Sequence, residues 1–505
     1  DCCLINLHKS KTASAELNYR KYDIALITEP YLNSIGLIRN LSNINYKLIY
    51  KKNASARACI RTSNNVNAWA VPQFLSRDMA TICFTINDIY IYMSVAYLDI
   101  KDDIKNSEIK AIYKYCQDGD IPLIMGMDSN AHNQLWGSKE TNSRGEALED
   151  IFDEFNLVVL NTGNTPTFSN VRSQTIIDLT VVNQKACELL NISDWRVDDK
   201  CSFSDHNYII FKIDEYIPPA EEMRNINKCD WEHLTNFVEC NIPTLNSEMN
   251  KSKLDELANA FEDTIIQAMD EACPKTSALK RRPVPWMSSH ILELRKEVDK
   301  AYKKRYSNDE ALQIYHIRYE EYRNELRKAK IESWRNFCSQ LDSSKDIAKT
   351  VNGLRNQVSE SIGLIKGSDG AYCSNPRKAL GELLKTHFPD SDKVPNVITE
   401  NDDIKSLNEV SFVTHKKVKE ALNSFGPRKA PGPDGIKPCI LQHLGSGALE
   451  LLTELYRWSL RLGHVPETWK EMKVVFIPKA GKENYDTAKS YRPITLSKFI
   501  LKGLE

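Results

Sequence analysis

"GMDSNAHNQLWGS" spans Gly126 to Ser138 and directly follows the apolar stretch "IPLIM", Ile121 to Met125. Asp128, Asn130, His132 and Asn133 therefore crowd the end of what reads as a buried strand. Asp and Asn are poor strand formers, and carboxylates and carboxamides are costly to bury. The stretch is either a turn that stops the strand or one half of an active site whose other half lies elsewhere in the chain.

Outward from it, the same pattern repeats. "CCLINL", "DIALIT", "YKLIY", "ARACIRT", "MATICFTI", "IYIYMSVAYL", "LVVLNT", "TIIDLTVVN" and "NYIIFKI" are short runs rich in Ile, Val and Tyr, separated by turn signals. They read as strands. "SKTASAELNYRK", "NSEIKAIYKYCQD" and "SRGEALEDIFDEF" carry helical spacing between them. Many strands with interspersed helices point to a two-sheet αββα sandwich over residues 1–215.

The chain then changes character. After a linker, "EYIPPAEE", residues 216–405 read as a helical, basic linker region. Its clearest periodicity runs from Ile291 to Leu341, where Tyr315, Tyr319, Tyr322, Leu326, Ala329 and Phe337 recur mainly every three or four residues. From Lys280 to Lys345 there are sixteen Lys and Arg against ten Asp and Glu. That excess suits either phosphate contact or a solvated helix face. Residues 406–505 combine a helix ("THKKVKEALNSF"), a Gly/Pro loop ("GPRKAPGPDGI"), a second helix ("ALELLTELYRWSLRLG") and strand-like "KVVFIPK" and "SYRPITLS".

Composition narrows the class. The 505 residues carry a net charge of −1, 41% apolar and 27% charged residues, as a globular protein of several domains does. Thirteen Cys without any Cys-x-x-Cys argue against a zinc ribbon and against a disulfide scaffold. A reducing intracellular compartment is expected. No apolar run approaches the roughly 18 residues of a membrane span, and no secretory leader pattern is visible, so no membrane partner is expected. The chain starts on Asp1 almost within a strand and stops in "KFILKGLE", within a helical pattern, which suggests a piece of a longer product.

Polar residues interrupt or follow several apolar runs: Asn6, Glu29, Tyr97, Asp128 with Asn130, Asp178, and Asp205 with His206. One such residue is usually a turn or cap. In a sandwich, however, strand ends converge on one edge. Hard oxygen donors such as Glu29 and Asp205 suit Mg²⁺, with Mn²⁺ as a substitute. Asp128 could orient or deprotonate an attacking water. His206, held in one tautomer by Asp178, could donate to a developing phosphorane. Asn6 and Asn130 would position water, metal or phosphate without adding charge. The chemistry is metal-assisted hydrolysis of a phosphate ester.

"INLHKSKTASAEL", "IALITEPYL", "SVAYL", "MDSNAHNQLWGS", "SRGEALEDIF", "NTPTF", "IIDLTVV" and "FSDHNYIIF" occur in this order. Together they resemble the endonuclease domain of non-LTR retrotransposon polyproteins, within the endonuclease/exonuclease/phosphatase superfamily. The resemblance implies Glu29 as principal metal ligand with Asn6 beside it, and Asp128 and Asn130 at the water nucleophile. It implies Tyr97 on the phosphate, Asp178 orienting the catalytic His, and Asp205 and His206 as the terminal pair. Two departures stand out: Asp99 where the family often has Pro, and Asp-Ser-Asn where Asp-Phe-Asn is usual. Neither removes a catalytic group. His132 is expected only to shape the loop.

"KAPGPDGI" and "VPETWKEMKVVFIPKAGKENYDTAKSYRPITL" resemble the first, fingers part of the reverse transcriptase domain of the same polyproteins. The resemblance implies nucleotide or template contact there, with Arg492 and Lys479 as phosphate-contact candidates. No Asp-Asp pair stands where the polymerase metal site belongs. Asp102 with Asp103, Asp198 with Asp199, and Asp402 with Asp403 fall in other regions. Polymerase activity of these residues is therefore not expected. Asn161 and Thr165, in "NTGNTPTFSN", are the candidates for reading target DNA.

The expected protein is thus a Mg²⁺-dependent endonuclease that nicks double-stranded target DNA and leaves a 3′-hydroxyl. That end would prime reverse transcription from element RNA in the longer protein. No small-molecule cofactor is expected. Action on chromosomal DNA implies the nucleus. Two other readings stay open: a small-substrate phosphatase of the same superfamily, and a non-catalytic nucleic-acid-binding remnant.

Overall fold

The computed structural model describes residues 1–41, 45–52, 54–106, 108–170, 172–213, 223–245, 249–276, 286–305, 308–340, 350, 363–389, 410–479, 482 and 484–505. The linker "EYIPPAEE", Arg281 to Pro285, Leu341, and Asp402 with Asp403 lie outside them.

The Ile- and Val-rich runs form strands. In chain order they are β1 (Cys2–Asn6), β2 (Ile24–Thr28), β3 (Tyr46–Ile49), β4 (Ala58–Ser63), β5 (Ala68–Ala70), β6 (Met79–Ile86), β7 (Ile89–Tyr97), β8 (Leu123–Asp128) and β9 (Leu157–Val159). There follow β10 (Phe168–Ser169), β11 (Gln174–Thr175), β12 (Asp178–Asn183), β13 (Ile192–Val197) and β14 (Ile209–Ile213). One six-stranded sheet has the order β13-β14-β1-β2-β4-β3, and a second has β5-β6-β7-β8-β12-β9. β1 with β2 and β7 with β8 are the parallel pairs; β12 runs antiparallel to β8. The expected mixed α/β architecture with two multi-stranded sheets is the one observed.

β1 and β2 are buried along their whole length, so they read as continuous apolar runs rather than alternating ones. Successive side chains still point to opposite faces. Leu4 and Leu26 join Ile82, Met93 and Val95 of the second sheet in the core between the layers. Cys3, Ile5, Ala25 and Ile27 face outward, against Ala13 and Leu17 of the helix α1 (Lys11–Tyr19). At Gly126 of β8 the sheets approach closely: an added Cβ would sit 2.8 Å from Leu26 Cδ1 and 3.1 Å from Leu4 Cδ1. The glycine just before Met127 and Asp128 is a packing requirement.

Further helices of this region are α2 (Ile109–Asp118), α3 (Ser143–Glu154) and α4 (Gln184–Leu189). α2 and α3 lie where their spacing predicts, whereas α4 is not among the helices expected from the sequence; Asn142 caps α3 by accepting from the Gly145 amide at 2.7 Å.

The described chain separates into two compact units. The first comprises Asp1–Ile217, Pro283–Glu382 and Tyr485–Thr487; the second comprises Pro218–Arg282, Leu383–Asn484 and Ala488–Glu505. Residues of the expected 216–405 region are thus shared between the two. In the second unit, α5 (Trp231–Asn241) and α6 (Lys251–Ala272) share a core with the helices His415–Ser424 and Ser446–Leu462, through Phe261, Ile265, Val418, Leu452 and Leu455. Met223–Arg224 (β15) pairs with Lys275–Thr276 (β16), and Met472–Pro478 (β17) with Tyr491–Ser497 (β18). Buried Lys498 meets buried Glu262 at 2.8 Å and so ties α6 to the segment after β18.

In the first unit the periodic stretch beginning at Ile291 is two helices, α7 (Ser289–Lys304) and α8 (Asp309–Ser339). Asn308 breaks the pattern by capping α8 through the Ala311 amide at 2.7 Å, with Asp309 and Glu310 favouring the positive helix end. Tyr322 and Leu326 are buried against Cys3, Ile5 and Leu17, with Tyr315, Tyr319 and Ala329 packed alongside. Phe337 is exposed. Most of the stripe therefore faces protein rather than solvent or phosphate.

Candidate active site

Strand direction gathers the polar residues. β1 and β2 are parallel, so Asn6 and Thr28 finish side by side and Glu29 follows. β7 and β8 are parallel, so Tyr97 stands in register with Asp128. β12 is antiparallel to β8, so its first residue, Asp178, also pairs with Asp128. The loop that carries Asp205 and His206 leads into β14, the other neighbour of β1. Residues scattered over two hundred positions meet at one edge of the sandwich.

Asn6 is fully buried and joins the sheets. Its Nδ2 donates to Asp128 Oδ2 at 2.8 Å and to Glu29 Oε2 at 3.3 Å, while its Oδ1 accepts from the His8 amide at 2.7 Å. Glu29 adopts a φ of 43°, a conformation that non-glycine residues rarely take and that marks functional sites. Lys9 Nζ lies 3.1 Å from its Oε1. Asp205 meets His8 Nδ1 at 3.3 Å. Asn130, with a φ of 47°, donates its amide N–H to Asp128 Oδ1 at 3.3 Å and its Nδ2 to the Leu98 carbonyl at 3.1 Å.

His206 is buried, with Nδ1 2.7 Å from Asp178 Oδ2 and Nε2 4.0 Å from Asp205 Oδ1. Phe168 meets its ring edge-on at 5.0 Å. Asp178 Oδ1 is buried with no hydrogen-bond partner among the described residues. Asp128, Asp178 and His206 offer ligand atoms within 4.8 Å of one another, the one acidic and histidine group among the described residues close enough to share an ion.

These neighbours set the charge states. Burial, and then the Asp178 charge, push Asp128 up to about 7, against the opposing pull of His206 and the Asn6 and Asn130 hydrogen bonds. Burial alone would lower His206. The Asp178 charge and hydrogen bond, with Asp128 and Asp205 behind them, outweigh it and raise the imidazole to about 9. Tyr97 is raised to about 12, by burial first and then by Glu29 and Asp128.

Two arginines escaped the sequence reading. Arg57 stacks over the Tyr97 ring at 4.7 Å and pairs with Asp78 and Asp99. Asp99, the departure from the usual Pro, is thus a partner of the cation that supports Tyr97. The Lys101 amide, and then Arg57, hold its carboxyl below the ordinary range. Arg144 of α3 gathers the carbonyls of Leu98 (3.1 Å), Asp99 (2.8 Å), Asp102 (2.7 Å) and Ser129 (3.2 Å), joining the loops after β7 and β8. An isolated Arg before a strand or in a helix carries no signal of such a role.

The other candidates are placed as follows. Asn161 donates to the Asp178 carbonyl at 3.0 Å and accepts from the Thr180 amide at 2.9 Å, so its amide braces β12; Thr165 is exposed. His132 stands outside the hydrogen-bonded cluster, and its carbonyl packs on α3, where a Cβ at Gly145 would come within 1.9 Å of it. In the second unit Arg492 is exposed opposite Ile477 in the β17–β18 ladder, and Lys479 Nζ donates to the Lys489 carbonyl at 2.8 Å.

Two facing mixed sheets with this cluster at one edge are consistent with the architecture expected from the sequence. Residues 91–210 match the family described as "Endonuclease-reverse transcriptase". Along most of its length the chain is similar to Pol polyproteins and RNA-directed DNA polymerases of retrotransposable elements.

It is 24% identical, over 77% of its length and 41% of the relative's, to the retrovirus-related Pol polyprotein from type-1 retrotransposable element R1 of Bradysia coprophila. It is 26% identical to a putative 115 kDa protein in element R1DM of Drosophila melanogaster, over 76% of its length and 39% of the relative's. With the RNA-directed DNA polymerase from mobile element jockey of Drosophila funebris it shares 20% identity over 99% of its length and 57% of the relative's. The chain spans about two fifths of the length of the first two relatives. Among solved structures it is similar to the endonuclease domain of TRAS1, a telomere-specific non-LTR retrotransposon. There the identity is 27% and the TM-score 0.36, over 43% of this chain and 98% of that one.

Proposed function

We propose that this chain is a Mg²⁺-dependent endonuclease that nicks one strand of double-stranded DNA, and that the nick primes reverse transcription from element RNA in the longer polyprotein. The reading rests on one observation above others: a raised carboxyl, Asp128, stands beside an imidazole that Asp178 keeps charged.

In this reading Asp128 takes a proton from the attacking water. The new P–O bond forms as the bond from phosphorus to O3′ breaks; O3′ leaves as an oxyanion and takes a proton from solvent, giving a 3′-hydroxyl and a 5′-phosphate. Asn6 and Asn130 fix the Asp128 carboxylate, each by a hydrogen bond. His206 directs its Nε2 proton at a non-bridging phosphate oxygen, with Asp178 holding Nδ1. Tyr97 donates from the other side. Dry, preorganised donors of this kind count for more than they would in water.

Glu29 and Asp205 are the better cation ligands. Both are oxygen donors, and their side chains keep 14% and 25% exposure, which leaves room for the waters that Mg²⁺ retains. The Asp128–Asp178–His206 group is fully buried, and its imidazole is committed to Asp178. A bound divalent cation would polarise the phosphoryl oxygen and stabilise the leaving oxyanion. Thr165 for target DNA, and Arg492 and Lys479 for phosphate, extend the reading, as does action in the nucleus.

Supercoiled-plasmid nicking in Mg²⁺, followed by polymerase extension from the nick, is the test. Extendable nicks are expected; absence of nicking by a folded chain overturns the reading.

A further inference from the structure

The loop that carries Asp205 and His206 is gripped by helices that lie far beyond it in sequence. It leaves β13 at Val197 and ends at Asn207, before β14. Near its middle, Phe203 has a φ of 59°. A bulky residue in the left-handed region persists only where its surroundings hold it. Here they do: its ring stacks on Tyr319 (5.6 Å, 26°) and Tyr322 (5.1 Å, 20°), both on α8.

The loop is pinned elsewhere too. The Cys201 amide donates to Asp299 Oδ1 of α7 at 3.2 Å. The Tyr302 hydroxyl of α7 donates to Asn207 Oδ1. Asn207 in turn donates its amide N–H to the Thr167 carbonyl at 2.7 Å, and Thr167 Oγ1 accepts from the Asp178 amide at 3.0 Å. Tyr302 is therefore linked by short chains to both members of the Asp178–His206 pair. At the loop's start, Arg20 pairs with Asp198 and with Glu16, and Arg295 of α7 reaches Glu16 at 3.1 Å.

We propose that the α7–α8 hairpin is a working part of the nuclease, and that Tyr302 and Asp299 are positioning residues for His206. They touch no substrate. They fix the backbone from Cys201 to Asn207, and so fix where the His206 Nε2 proton points. The hairpin lies outside residues 91–210, the segment that matches the nuclease family. The catalytic part of the inference rests on the endonuclease reading above.

The test uses the full chain with Tyr302→Phe, Asp299→Ala and Asp299→Asn. Tyr302→Phe keeps the ring and removes one donor. Steady-state nicking is expected to lose about tenfold in kcat, with KM within about twofold, for Tyr302→Phe and Asp299→Ala. Asp299→Asn, whose amide oxygen still accepts from Cys201, restores the rate. Hydrogen exchange at the Cys201 and Asn207 amides should quicken in the two impaired variants while the global melting temperature holds. Unchanged kcat, or a rise in KM alone, overturns the proposal. If the parent chain nicks no DNA, the endonuclease reading falls. Exchange at those two amides then decides the positioning: faster exchange supports it and unchanged exchange overturns it.

Discussion

Asn6 Nδ2 lies 2.8 Å from Asp128 Oδ2 and so carries a hydrogen bond from the last residue of β1 in one sheet to the last residue of β8 in the other. The bond opposes the burial and the Asp178 charge that raise the Asp128 carboxyl. Asn6→Ala should therefore push Asp128 higher still and move the acid limb of the nicking profile to higher pH. A limb that stays in place would remove Asn6 from control of Asp128.

Nicking should follow a bell in pH. The acid limb belongs to Asp128, near 7, which must be ionised to accept a proton; the alkaline limb belongs to His206, near 9, which must stay charged to donate. For stability the sign of the His206 contribution is separate. Its folded pKa is raised, so its stabilisation is complete below the ordinary histidine value and is lost as pH rises through about 9. In metal-free buffer the melting-temperature gap between the parent and His206→Gln should therefore narrow from pH 6.5 to 9.5. A gap that widens would reject the assignment.

His206→Ala should lower nicking by about 10²- to 10⁴-fold, the usual range for a lost acid–base group. Asp178→Asn should come close to it, since the carboxylate sets the imidazole's tautomer and charge. His132→Ala should nick far better than either, because His132 lies outside the cluster. Equal losses for His132 and His206 would refute this division of roles.

Glu29→Gln and Asp205→Asn should each weaken Mn²⁺ binding by about tenfold or more in calorimetry, as removal of a hard ligand does. Asp178→Asn should leave it within about threefold. The opposite order would place the ion on the buried Asp128–Asp178–His206 group.

Gly126→Ala and Gly145→Ala differ in what their methyl meets. At Gly126 it meets the ends of Leu26 and Leu4 at 2.8 and 3.1 Å, which can yield; overpacking of that kind costs about 1–3 kcal/mol. At Gly145 it meets the His132 carbonyl oxygen at 1.9 Å, which is backbone, so α3 must shift off the Asp128–Asn133 loop. Urea unfolding should rank Gly145→Ala as the more damaging, and nicking should fall with it.

Much of the nuclease-like domain was legible from residues alone. The apolar runs are the strands, and the polar residues that end or interrupt them gather at one edge, because a carboxylate in a buried run needs a partner and strand direction decides where partners can be. Asp128 and Asn130 in "GMDSNAHNQLWGS" carried that signal, and Asp178 and His206 completed it. The αββα layering followed from the same alternation.

What only the tertiary structure decided were long-range contacts between side chains with no distinguishing neighbourhood. Arg57 beneath Tyr97, Arg144 across the loop carbonyls, and Tyr302 on Asn207 each depend on two segments meeting in space. The stripe of Tyr315, Tyr319 and Tyr322 is the plainest case. Its helical period shows that one face is apolar, but periodicity says nothing about what covers that face. Here it is the outer side of the sheet that holds β1, β2 and β14, together with the loop that carries His206, and burial of that shared apolar surface joined them.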